Sequence, residues 1–166
     1  MRKLLISLAT VALSTGVAHA ASGNSQTTPG TATAKVVTPL AISHSNGAQL
    51  SFGKFSVAST GTVVVATTGT GTPTGGVHFV NGSSTTADRF KVVGFPLRSF
   101  AVATGPGTVT APGGASMSFT TKAAISLGIL SVSGVYLLSV GGTLTVPAGQ
   151  PGGTYSGTYP VVAYYN

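Results

Sequence analysis

Proton-transfer chemistry in this 166-residue chain would have to come from one acidic side chain, Asp88, and from the two histidines beyond the first twenty residues, His44 and His78. A glycosidase needs a pair of carboxylates, and a single acid does not supply one. A Ser-His-Asp arrangement can be drawn from Asp88 and His78, yet no G-x-S-x-G elbow or other spacing supports it. His44, His78 and Asp88 could in principle ligate zinc, but they lack the close-paired spacing of such sites. The plain reading puts His44 at a strand end and His78 half-exposed on a strand. No catalytic residue, metal site or cofactor is therefore expected, and the chain does not read as an enzyme. The glycines of residues 69–76 lack the following lysine and helix of a phosphate-binding loop.

The other chemically distinctive groups are the tyrosines of residues 153–166, GTYSGTYPVVAYYN. Here Gly153, Tyr155, Gly157, Tyr159, Val161, Ala163 and Tyr165 alternate with a second set, the period of a strand with one buried face. Pro160 cannot donate to a ladder, which points to a sheet edge. Tyr155, Tyr159, Tyr164 and Tyr165 could stack on sugars, but three of them share the parity of Val161 and Ala163, so core or interface packing is the simpler use. An aromatic-faced edge strand is an element that a partner can extend.

Composition fits that use. Only 5% of the chain is charged, well under the roughly 25–35% charged surface that keeps a small domain dispersed. Removing Arg2 and Lys3 from the eight Lys and Arg leaves 8 − 2 = 6 against Asp88. These six are scattered, without the clustered footprint of a nucleic-acid binder. There is no cysteine, so stability must come from packing rather than disulfides.

Residues 1–20 read as an export signal: Arg2 and Lys3, an apolar stretch over 4–17, and an A-x-A site predicting cleavage between Ala20 and Ala21. The apolar stretch is short for a bilayer span, so no membrane span is expected after cleavage. The product would be periplasmic, at the cell surface or secreted. Residues 21–30 form a polar arm, and 31–166 suit one domain.

Along that domain, Ala32, Ala34, Val36, Leu40 and Ile42 predict a long first strand, with Pro39 marking an edge or a break. Residues 50–57 change parity at Gly53, the sign of a β-bulge. Residues 62–66, TVVVA, suggest a strand covered on both faces, residues 69–76 a loop, and Asn81-Gly82 a two-residue hairpin, a better explanation of these residues than the glycosylation sequon Asn81-Gly82-Ser83. Further strands follow around Phe90 and Val92, Phe100 and Val102, Met117 and Phe119, and from Tyr136 to Val146 with a bend at Gly141-Gly142. Residues 123–130 fit helix or strand, and Gly128 favours strand. GTVTAPGG (107–114) and GTLTVPAG (142–149) repeat one strand-and-turn pattern. Eight to ten short strands without a convincing helix indicate an antiparallel β-sandwich.

The segments ATAKVVTPLAIS, LSFGKF followed by GTVVV, and GGTLTVPAGQPGGTYSGTYPVVAYYN together resemble the bacterial domain of unknown function 4402 family, with 77–133 matching loosely. That family is similar to subunits of chaperone-usher fimbriae (pilins) and to the spore coat protein U group, which carry a glycine near the C-terminus and a penultimate tyrosine on the last strand, here Gly153 and Tyr165. The resemblance implies an incomplete immunoglobulin-like sandwich. A periplasmic chaperone would fill a groove beside its last strand, and at an usher a neighbouring subunit's N-terminal arm would replace that chaperone strand. Two departures stand out: many fimbrial subunits have a disulfide, and the arm at 21–30 lacks the alternating apolar residues of a donor, so either the donor segment runs into 32–37 or the subunit polymerises in another way, or not at all.

The leading expectation is therefore an exported structural subunit of a surface fibre or coat, self-associating through Gly153, Tyr155, Tyr159, Val161, Ala163 and Tyr165. The alternative is a self-sufficient secreted carbohydrate-binding or adhesion module using its Tyr and Thr surface, Tyr164 included. An outer-membrane barrel is disfavoured by the short strands and by Asn166 at the terminus.

Overall fold

The computed structural model describes residues 27–166, so the expected signal, the Ala20/Ala21 cleavage site and most of the polar arm lie outside the described residues. The chain divides into two units, 1–35 and 36–166. Described residues 27–35 of the first have no regular secondary structure. The second is all-β.

Its eleven strands are β1 (Ala41–His44), β2 (Phe55–Val65), β3 (Gly71–Phe79), β4 (Asp88–Val93), β5 (Ser99–Thr104), β6 (Gly107–Thr110), β7 (Ser116–Ala123), β8 (Leu127–Ile129), β9 (Val135–Val146), β10 (Ser156–Thr158) and β11 (Val161–Tyr165). All pairings are antiparallel. The large sheet runs β1-β4-β9-β7-β6-β10, with β2 also on β9 and β3 on β2, while the small sheet is β11-β5-β8. The architecture is an antiparallel β-sandwich whose large sheet curls.

The curl originates in β9. Its first half pairs with β4, and its second half pairs with β2 on one side and β7 on the other. The change of partner falls at Gly141-Gly142, and a Cβ on Gly141 would drive into the carbonyl oxygen of Val65. Only glycine lets β2 approach β9 this closely. Two core clusters result. One gathers Val63, Val65, Val77, Met117, Phe119, Leu144 and Val146, and the other Val92, Phe100, Val102, Leu130, Leu138 and Val140. Of the period-two positions of β9, Leu138, Val140, Leu144 and Val146 are buried, while Tyr136 is half-buried against the second cluster.

Several expectations are corrected. The long first strand is reduced to β1, because residues 27–40 carry no strand and Pro39 removes a ladder donor immediately before it. The parity change at Gly53 is present, with Leu50 and Phe52 packed inward before it and Phe55 and Val57 after it, and Gly53 has φ 78°. It lies ahead of β2, however, and the irregular ladder occurs between Val57 and Gly61. Within 62–66, Val63 and Val65 are buried but Val64 is 38% exposed, since an antiparallel sheet keeps one solvated face.

Residues 69–76 are largely strand: β3 folds back on β2 through a turn at 66–70, where Gly69 N–H donates to Ala66 O at 2.8 Å. Asn81-Gly82 does turn, with Gly82 at φ 73°, yet β3 and β4 do not pair. The two-residue hairpin is thus absent, because β3 has already paired with β2 and the chain must cross to reach β9. Residues 123–130 are strand rather than helix, broken between β7 and β8.

Candidate assembly edge at the C-terminus

Residues 153–166 form two strands where the alternation suggested one. β10 closes the edge of the large sheet on β6, and β11 forms the edge of the small sheet on β5. The division falls at Tyr159-Pro160. Pro160 has no N–H to continue the ladder, while its carbonyl accepts from Gly105 N–H at 3.0 Å. Parity nevertheless survives the crossover, and Tyr155, Tyr159, Val161, Ala163 and Tyr165 are all half-buried and turned toward the core.

Tyr159 occupies the crossover and packs against both core clusters, meeting Phe90 and Phe119 edge-on at 6.4 and 5.8 Å. Its hydroxyl donates to Asp88 Oδ2 at 2.8 Å. Burial first, and then the hydrogen bond and charge of Asp88, hold the Tyr159 phenol well above its ordinary pKa. Asp88 is itself buried. Its Oδ1 accepts from Arg89 N–H at 2.8 Å and meets His44 Nε2 at 2.6 Å. The carboxylate therefore ties together β1, β4 and the β10–β11 crossover, with each oxygen hydrogen-bonded as a buried charge requires.

The pairing of Asp88 with His44 was not expected, and two signals pointed to it: Asp88 is the sole acid, and it shares the parity of the inward Phe90 and Val92. His78 stands exposed on β3. No group of three or more potential metal ligands occurs among the described residues.

Tyr165 fixes the other end of β11. Its hydroxyl donates to Thr38 O at 2.8 Å and accepts from Phe95 N–H at 2.7 Å, fastening the segment before β1 to the loop after β4. Leu40 and Ile42 pack on the same cluster as Val161, Ala163 and Tyr165. The two sheet edges, β1 and β11, thus overlie one end of the core without pairing to each other.

Among the described residues, the outer edge of β11 is open beyond these contacts. β5 is its one strand partner among the described residues. The bonds from Gly105 N–H to Pro160 O and from Asn166 N–H to Ser99 O fix the alternation, so Val162 and Tyr164 direct their backbone groups at β5. Val161, Ala163 and Tyr165 direct theirs outward.

The residue pattern closing on Tyr165 is matched by one known family, over residues 40–165. The chain belongs to the family described as Domain of unknown function (DUF4402). No curated protein and no solved structure matches it.

Of the residues expected to form one surface, the DUF4402 domain brings together Tyr159, Val161, Ala163 and Tyr165. Gly153 and Tyr155 lie apart from them. Gly153 is exposed in the loop before β10, and Tyr155 packs on the first cluster, with its hydroxyl donating to Pro151 O at 2.7 Å. Tyr164, the candidate sugar-stacking residue, stands 52% exposed on the outer face of the small sheet, where Leu127 is also exposed.

Proposed function

We propose that the DUF4402 domain is an exported structural subunit of a bacterial surface fibre or coat, assembled by addition of a strand to β11. The observation that carries this reading is the backbone edge at Val161, Ala163 and Tyr165, open among the described residues, whose side chains pack half-buried against the core. A strand added there gains ladder hydrogen bonds and can place alternate side chains between β11 and β1. The donor is residues 32–37 of a second copy. Ala32, Ala34 and Val36 share one parity in that segment, and Val36 is 95% exposed. By the family resemblance, a periplasmic chaperone and an usher deliver the subunit.

The chain's lack of cysteine permits a direct test. A Val36→Cys, Ala163→Cys double variant, oxidised after export, should give a ladder of disulfide-linked multimers that neither single variant gives. A chain that remains monomeric, with no intermolecular bond, overturns the proposal.

A further inference from the structure

The outward face of the large sheet repeats one chemistry. Thr74, Thr62 and Thr145 are in register across β3, β2 and β9, and Thr72, Val64, Thr143 and Thr120 continue the next row across β3, β2, β9 and β7. Toward the other edge, Thr108 of β6 pairs with both Ser118 and Thr158. Directly paired residues share a face, and the opposite parity of these strands is core: Val63, Leu144 and Phe119 are buried. Outward hydroxyls therefore recur about 4.8 Å apart across strands and about 6.7 Å apart along them. Thr62 and Thr74 bond each other at 2.7 Å, whereas the hydroxyls of Thr72, Thr120, Thr143 and Thr145 have no partner among the described residues.

A groove of about 640 Å³ crosses this face where β9 changes partner, lined among others by Thr67, Thr120, Lys122, Gly141, Gly142 and Thr143. At the two glycines the strands approach closely, an added Cβ meeting the Val65 carbonyl at Gly141 and Thr120 O and Leu50 at Gly142, and Lys122 is the groove's single charged residue.

We infer that this hydroxyl-lined face, centred on the groove at Gly141-Gly142, binds a neutral polysaccharide. Each threonine hydroxyl can both donate and accept, and a sugar chain offers donors and acceptors at a comparable repeat, with C–H faces for the threonine methyls. An apolar partner would leave the hydroxyls unsatisfied on burial. A polyanion would call for clustered cations, and the groove offers one lysine. The inference does not rest on strand addition at β11, which belongs to the other sheet.

The test is retention of the purified protein on insoluble cellulose, a neutral glucan, and on alginate beads, a polyanion. Cellulose should retain it, unchanged at about 1 M salt where charge attraction is screened. A Thr120→Val, Thr143→Val variant keeps shape and strand propensity and should bind about fivefold or more weakly. Thr154→Val, in an exposed loop, should bind as the parent does, and matched unfolding midpoints confirm that all three are folded. Absence of retention on cellulose, equal retention by the double variant, or retention on alginate alone that salt removes would each overturn the inference. None of these outcomes bears on the Val36–Ala163 cross-link.

Discussion

Tyr159 donates its hydroxyl to Asp88 at 2.8 Å, joining the point where the chain leaves the large sheet for the small one to the single carboxylate side chain that the sequence contains. That bond anchors the crossover between β10 and β11 to β4.

Removing the carboxylate should cost more than removing any one of its partners. Asp88→Ala leaves the Tyr159 hydroxyl and the Arg89 N–H without an acceptor in a buried site, so we expect a loss of about 3 kcal/mol. Asp88→Asn retains an acceptor and should lose about half of that. Urea denaturation of the two variants measures the difference, and equal stabilities would contradict the bridging role.

The raised Tyr159 pKa has a definite sign. The folded state holds this phenolic proton more tightly than the unfolded chain does, where tyrosine titrates near pH 10. The stabilisation is complete below about pH 10 and is lost as pH rises beyond it. Unfolding midpoints should therefore fall with alkaline pH more steeply in the parent than in Tyr159→Phe. Parallel slopes above pH 10 would show that the hydroxyl is not held as described.

Tyr165→Phe deletes a donor to Thr38 O and an acceptor for Phe95 N–H while keeping the ring. Stability should drop by about 1 kcal/mol, and the segment before β1 should exchange its amide hydrogens faster. Faster exchange confined to β8 would contradict this prediction.

Gly141→Ala places a methyl against the Val65 carbonyl, where neither backbone can yield without parting β2 from β9. We expect a loss of more than about 2 kcal/mol or failure to fold. Gly113→Ala, in open space at an exposed turn, should be nearly neutral. Comparing soluble yield and thermal midpoint of the two variants checks the contrast.

The fold class was legible because strand alternation is a local property: each inward residue of β9 could be picked out without knowing what it would meet. The same holds for the inward parity of Tyr155 through Tyr165 and for the edge position implied by Pro160. Gly53 was read as a bulge because a parity change looks the same whether or not a partner strand lies opposite. Asn81-Gly82 forms its turn, but a turn does not choose its flanking strands' partners, and β3 had one in β2.

By itself, then, the sequence determined the all-β class, the buried parity of β9 and of the C-terminal residues, the family and the aromatic edge at the C-terminus. Only the tertiary structure decided that this edge is divided between two sheets, that Asp88 meets His44 and Tyr159, and that threonines from separate strands align into one surface. Those facts depend on register between segments 44 and 71 positions apart. Register is set by how the curled sheet closes over its core, and no local pattern encodes it.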